Sequence, residues 1–450
     1  MGTKRSAPGP QEKRFAAYME GLAKAAGHAD RAIPLKAYCT GLLLPGERKS
    51  VEPMAARLAP DNVRRMHQSL HHVVADAPWS DETILEQVRG YVLSAMKTKG
   101  PVQAWIVDDT GFLKKGTHSV GVARQYCGQV GKQDNCRVAV SLSVSTNTAS
   151  LPIAFRLYLP EIWANDAEHR KQAGVPDQIR FQTKPQIALE QIRQAIKDEV
   201  TPGPVLADAG YGFDSQFRAG VTELGLSYVL GVQSSTSIWA PGKGPLPAKP
   251  WSGRGRPPRL LRRNKDHQPV SVRQLAMLLP SAAWKTITWR TGARHPLKSR
   301  FAALRVRPAH RDEKRSEPYP DEWLLIEWPK DESEPTKYWL STLPKASSMR
   351  ELVRIAKHRW IIERDYQELK QELGLGHYEG RGWRGFHHHA TLCIAAYGFL
   401  VAERSRFSPS TRGGYAGLPV PKLPPDFTPR GATTHPRRTA QSPLHRKSTY

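Results

Sequence analysis

Cysteine is scarce in this chain: Cys39, Cys127, Cys136 and Cys393 lie far apart among 450 residues. None forms a CxxC pair or stands with histidine at zinc-ligand spacing. A disulfide scaffold and a structural zinc module are therefore set aside, and reduced, structural thiols are expected. No stretch approaches the roughly eighteen apolar residues of a membrane span. The opening MGTKRSAPGPQEKR also lacks the apolar core of a secretory signal. Met-Gly with Ser6 fits the form of a myristoylation pattern, but so short a pattern arises by chance. The expectation is a soluble, cytoplasmic protein with no membrane partner, and no internal repeat marks a solenoid.

Acidic residues are also in short supply. Against 67 Lys+Arg stand 41 Asp+Glu, a net charge of +26 and a pI near 10.0. Such a field favours polyanions, nucleic acid foremost. Acidic membrane is the weaker option, because no single helix pairs a basic face with a bulky apolar one. With 39% hydrophobic residues, the chain is long enough for two or three domains and a sizeable core.

Periodicity changes along the chain. From about residue 11 to 100 apolar residues recur at helical spacing: Phe15, Tyr18, Leu22; Val63, Met66, Leu70, Val73; Ile84, Val88, Val92, Met96. Ser80 ahead of Glu82 and Glu86 reads as a capped helix start. After Gly100 three strands follow, AWIVD, SVGVARQYC and VAVSLSV. A helix in PQIALEQIRQAIKDEV, the strand PVLAD, a helix from about Ser215 to Leu224 and the strand SYVLGV complete an α/β unit. Residues 235 to 275 are rich in Pro, Gly and Arg, as a basic loop or linker would be. WKTITWR, RFAALRVRPAH, EWLLIEWP and TKYWLSTLP then read as strands. A long helix from about Ser348 to Leu373 and an apolar one from about His388 to Val401 close the ordered part. After Arg406 the composition predicts a disordered tail.

Three acids sit where elements end or meet. Asp108 closes AWIVD, and Asp208 closes the strand of VLADAGYG just before a Gly-rich turn. Carboxylates at such strand ends project into the crevice where ligands bind, although a turn or N-cap aspartate has the same look. At about 100° per residue, Arg359, Glu363, Tyr366 and Lys370 share one helical stripe, beside the apolar Ile355, Ile362, Leu369 and Leu373. A surface Arg359–Glu363 pair at i,i+4 would give that stripe too. Three convergent carboxylates suit two magnesium or manganese ions. Such ions activate a hydroxyl or water and stabilise the leaving oxygen of a phosphodiester.

The segments DDTGFLKKGTHSVGVARQYCGQVGKQDNCRVAVSLSV, VLADAGYG and HRWIIERDYQELKQELGLGHYEGRGWRGFHHHATL resemble those of bacterial insertion-sequence transposases of the DDE type, over roughly residues 15 to 403. The resemblance implies an α/β fold: an RNase H-like mixed sheet flanked by helices, with a helical N-terminal region and a β-rich insertion before the last catalytic helix. It implies metal-dependent cleavage at the element's ends and transfer of the freed 3′-hydroxyl into target DNA. On this basis residues 1–100 form a helical DNA-binding region and 101–234 the first part of the core. Residues 235–345 form the β-rich insertion, 346–405 the helices completing the core, and 406–450 the basic tail.

The family's Asp-x-Thr pattern selects Asp108 over Asp109, with Thr110 third. Its second acid is Asp208. Its helix signature of Tyr, Arg, Glu and Lys gives Arg359, Glu363 and Lys370, with Ala356 at the Tyr position. The resemblance thus assigns two Mg2+ or Mn2+ ions to Asp108, Asp208 and Glu363. Arg359 and Lys370 are expected on phosphate, as are Lys114 and Lys115, for which a solvated hairpin tip is the alternative.

Relatives of this kind stack a flipped base on an aromatic residue of the insertion. That makes Trp251 a DNA-binding candidate beside Trp239, with core packing the competing role. His387, His388 and His389 are adjacent on a helix start and point in different directions. One shared ion is therefore not expected, and a phosphate-facing helix terminus is. Partners expected from the family are the terminal inverted repeats and target DNA, with a homodimer on DNA. A metal nuclease with the same core and a non-catalytic DNA-binding remnant are the rival functions.

Overall fold

A computed structural model describes residues 9–291 and 296–406; the expected disordered tail lies outside them. Five helices come first: α1 Pro10–Ala25, α2 Ala29–Leu43, α3 Val51–Leu58, α4 Val63–His71 and α5 Asp81–Lys97. Ser80 caps α5 through its hydroxyl, which accepts from the Thr83 amide at 3.3 Å. Strands β1 Ala104–Leu113, β2 Ala123–Cys127, β3 Lys132–Ser145 and β4 Ser150–Leu157 follow. Next come the short helices α6 Glu161–Ala164 and α7 Ala167–Gln172, then α8 Lys184–Lys197. β5 Val205–Ala207, α9 Ala209–Gly212, α10 Ser215–Glu223 and β6 Tyr228–Val232 complete the α/β unit.

Beyond β6 run β7 Ser237–Trp239, β8 Val270–Ser271, α11 Val272–Met277, β9 Lys285–Thr291, β10 Pro296–Pro308, β11 Glu322–Trp328 and β12 Lys337–Ser341. The last helices are α12 Met349–His358, α13 Ile361–Gln367, a π-helical turn over Glu368–Glu372, and α14 Trp383–Arg406.

All twelve strands form one mixed sheet, consistent with an RNase H-like α/β fold. Its order is β2-β3-β1-β5-β6-β12-β11-β10-β7-β8, with β4 beside β3 and β9 beside β10. Only β1–β5 and β5–β6 are parallel. β12 pairs antiparallel with β6, so the strands after residue 235 extend the core sheet directly. β4 is an edge strand that the sequence reading missed. Its Pro152 faces Ser143 where the ladder slips, and a proline there has no amide to give.

The sheet separates two apolar layers, which strand alternation sorts cleanly. Trp105 and Val107 of β1 join the layer built with α1, α2, α5, α8 and α14. Ala104 and Ile106 face the other layer, with Leu352, Val353, Ile355 and Ile362 of α12 and α13. α14 is buried on nearly every side. Phe15 of α1 meets its Phe399 edge-on at 5.0 Å, and Tyr91 of α5 flanks the same ring.

The long helix expected over Ser348–Leu373 is interrupted. At Arg359–Trp360 the chain turns, with Arg359 reaching inward to Asp108 and Trp360 lying beneath Arg290 at 3.5 Å. The four cysteines are free and buried, as expected of structural thiols.

Candidate active site

β1 does not end at its aspartates. It continues to Leu113 because β3 pairs with it along its whole length, Asp108 opposite Ser141. On its other side the parallel ladder with β5 stops at Ile106–Leu206. Two residues further on, Asp108 and Asp208 therefore lie side by side beyond the carboxyl end of the parallel strands, on the face that Ile106 and Leu206 share.

Gly212 and Gly231 allow α9 to press against β6. A Cβ on Gly212 would strike the Gly231 carbonyl, and one on Gly231 would come within 2.9 Å of the Ala209 amide. Asp208 caps α9, one carboxylate oxygen accepting from the Gly210 amide at 2.9 Å. Asp109 points to the opposite face, where the Lys184 ammonium at the start of α8 donates to it at 2.6 Å.

Arg359 joins the two acids. Its Nη2 lies 2.7 Å from Asp108 Oδ1 and 4.0 Å from Asp208 Oδ2. No ion pair joins Arg359 to Glu363 among the described residues, so the surface-pair explanation of that stripe fails. Burial pushes the Asp108 carboxyl up to about 6 against the pull of Arg359, and Asp109 and Asp208 add to the rise. Burial alone would lower Arg359; the charges of Asp108 and Asp208 more than offset it and raise it.

Glu363 is exposed and lines a cleft of about 390 Å³ with Asp208, Arg359, Trp289, Trp339 and Trp360. α13 is anchored behind it by Asp365, which accepts from the Ser150 hydroxyl at 2.5 Å and the Tyr397 hydroxyl at 2.7 Å. Burial pushes the Asp365 carboxyl up to about 7, while those two hydroxyls pull it down.

The rest of the stripe lies against the sheet. Tyr366 shares a hydrogen bond with Ser141, and the Lys370 ammonium donates to the Gly111 carbonyl at 2.8 Å. Lys114 is no solvated hairpin tip: it donates to the Tyr378 carbonyl at 2.8 Å. Burial and the neighbouring Arg137 lower it to about 8. Lys115 is exposed. Arg359, Lys370 and Lys114 are thus all engaged within the protein.

The two insertion tryptophans differ. Trp239 is core, its indole donating to Asp312 at 2.6 Å. Trp251 is 56% exposed. Sequence reasoning missed Lys184, Tyr211 and the aromatic wall of Trp289, Trp339 and Trp360. Lys184, Trp289 and Trp339 come near the acids from chain segments far apart, which no local pattern announces; Tyr211 and Trp360 each stand three residues from an acid, Asp208 and Glu363, and that closeness in sequence is the signal that could have found them.

The acids are hard oxygen donors, suited to a magnesium-like ion in kind. Among the described residues no three acidic, histidine or cysteine side chains stand close enough to hold an ion. Asp108 and Asp208 instead share the Arg359 guanidinium. Beside them the buried Tyr211 hydroxyl and Arg359 Nε have no hydrogen-bond partner among the described residues. Such unpaired groups are costly and mark a polar site that can accept a further polar group.

The histidine triplet does not face phosphate. All three are buried because α14 is covered by the N-terminal helices on one side and β4 on another. His387 accepts from the Leu157 amide at 3.2 Å. His388 lies between the Val74 and Trp79 carbonyls, and His389 between the Tyr38 hydroxyl and the Gly374 carbonyl. Burial lowers each to about 4. Their share of stability is therefore complete above the ordinary histidine pKa near 6.5 and is lost as pH falls from there through about 4. In an NMR titration their rings are expected to protonate near pH 4. Midpoints near 6.5 would place them in solvent.

Among the described residues no helix is long and apolar enough to cross a membrane. The chain is 31% identical over 190 residues to a protein of Microchaete diplosiphon named "Probable transposase for insertion sequence element IS701". That match takes in 42% of this chain and 46% of the relative, so it spans about half of each. A family model described as "DDE superfamily endonuclease" matches residues 19–296, a stretch that holds Asp108 and Asp208 and stops short of Glu363. Two aspartates paired beyond the ends of parallel strands, on an RNase H-like sheet that falls largely inside that match, belong together with it: this chain is a member of the DDE superfamily of endonucleases.

Proposed function

We propose that the protein is a DNA transposase that cleaves the ends of an insertion sequence and joins the freed 3′-hydroxyl to target DNA. The observation that carries this reading is Arg359 standing between Asp108 and Asp208, on the wall of a cleft that Asp208 and Glu363 also line. In this reading Asp108 and Asp208, joined by Glu363 from the cleft wall once DNA draws the three acids together, would hold Mg2+ or Mn2+, and the ions would supply activation of the attacking oxygen and stabilisation of the leaving one. Asp109, tied to Lys184, stays out of the ligand set and holds α8 to the sheet. Arg359 changes partner from Asp108 to a phosphate oxygen when DNA enters, so the site keeps a cation beside its carboxylates in both states. The exposed Lys115 and the wider positive field hold the duplex. Bringing two element ends together calls for two copies of the chain on DNA.

The test is an assay with purified protein, its own element ends, a target plasmid and Mg2+. Joined products are the expected result. Cleavage without joining would make the chain a stand-alone nuclease, and salt-sensitive binding without either would make it an inactive DNA-binding remnant.

A further inference from the structure

Between β7 and β8, the outermost strands of the sheet, runs the segment PWSGRGRPPRL, residues 250–260. The catalytic site does not use it. Every residue from Trp251 to Leu260 is exposed. Arg254, Arg256 and Arg259 have no ion-pair or hydrogen-bond partner among the described residues, whereas the nearby Arg262 donates to Pro247 and Arg263 to Asp312. From Pro241 to Lys265 there is no acidic residue. The loop is nevertheless shaped. The Trp251 indole donates to the Gly255 carbonyl at 3.2 Å, Gly253 and Gly255 take φ of +83° and +73°, and Pro257 and Pro258 stiffen the approach to Arg259.

The glycines point outward in function. At Gly212 and Gly231 a Cβ would collide with the protein, but a Cβ on Gly253 or Gly255 would meet nothing within 4 Å. The positive φ calls for glycine at these two positions, and the open space around them leaves their backbone bare to solvent. An Arg-Gly-Arg-Pro strip is slender, bare at its centre and cationic at both flanks. A B-DNA major groove admits a helix, while the minor groove, about 6 Å wide, admits only something this narrow. A·T tracts narrow that groove further and deepen its negative potential, which draws arginine in. In G·C pairs the guanine amino group rises from the groove floor, where a bare backbone would otherwise lie.

We infer that residues 251–259 form a minor-groove reader selective for A·T-rich duplex DNA, with Arg254 and Arg256 in the groove and Arg259 on the flanking phosphate. The inference rests on the reading of the chain as a DNA-acting protein and adds the class of duplex it prefers.

Fluorescence anisotropy on the full chain tests it with three duplexes of equal length: A·T tract, G·C, and inosine·C. The last has the minor-groove face of A·T and largely the major-groove face of G·C. The A·T and inosine·C duplexes are expected to bind about tenfold or more tighter than G·C, in line with the discrimination of a good base contact. The Arg254→Ala/Arg256→Ala variant is expected to lose that preference. Equal affinity for all three duplexes would overturn the reader while leaving the DNA-acting reading intact. So would inosine·C behaving like G·C, or a variant that keeps the preference. Failure to bind any duplex would overturn both.

Discussion

Asp208→Asn and Glu363→Gln are each expected to lower strand transfer by about a thousandfold or more while leaving the protein folded and bound to DNA. A metal-held oxygen contributes several kcal/mol to the transition state, and each 1.4 kcal/mol is about tenfold in rate. The folding cost is small for identifiable reasons. Asparagine keeps the oxygen that accepts from the Gly210 amide, so the cap on α9 survives. Glu363 is exposed and makes no ion pair among the described residues. Single-turnover joining, thermal melting and DNA binding measured on the same preparations separate the effects. Full strand transfer by either variant would show that the acid in question is not a ligand.

Phe399→Ala is expected to cost about 3–5 kcal/mol of stability, the usual range for emptying a fully buried aromatic site. Its ring is completely buried and lies 5.0 Å from Phe15, 5.7 Å from Tyr18 and 6.5 Å from Tyr91, centre to centre. Nothing beside it can collapse cheaply into the gap, since the next residue back, Gly398, is already so close to Val88 and Val92 that a Cβ would stand 3.0 Å from each. The exposed Ile33, changed to Ala, is the control and should shift stability by less than about 0.5 kcal/mol. Urea unfolding followed by tryptophan fluorescence reads both. A loss below about 1 kcal/mol for Phe399→Ala would mean that α1 and α5 dock only loosely on α14.

A local period carries the part of the fold that was legible in the sequence. Alternation along a strand placed Asp108 and Asp109 on opposite faces, and the helical wheel placed Arg359, Glu363, Tyr366 and Lys370 on one stripe. A period says which face a residue takes but not what covers that face. Asp108 and Arg359 are 251 positions apart, so nothing in either neighbourhood announces their pairing. The same gap misplaced the histidines. A polar triplet at a helix start reads as solvent-facing until the helices that sheath it are known. Pro152 hid β4, because proline argues against a strand except at an edge or a slip in the ladder, and this one has both. The wheel put Glu363 beside Arg359 but fitted an ordinary surface ion pair as well, so only the resemblance set it with the two aspartates.

The continuity of the insertion with the core sheet has a further consequence for how the protein is made. β6 receives its neighbour β12 only after roughly a hundred intervening residues have left the ribosome, which at 5–20 residues per second takes about 5–20 s. Until then the nascent core carries a bare, hydrophobic strand edge. The time between finishing β6 and finishing β12 is thus the stretch of biosynthesis in which a holdase would matter most. A slow codon run placed inside the insertion would lower the soluble yield more than the same run placed after β12.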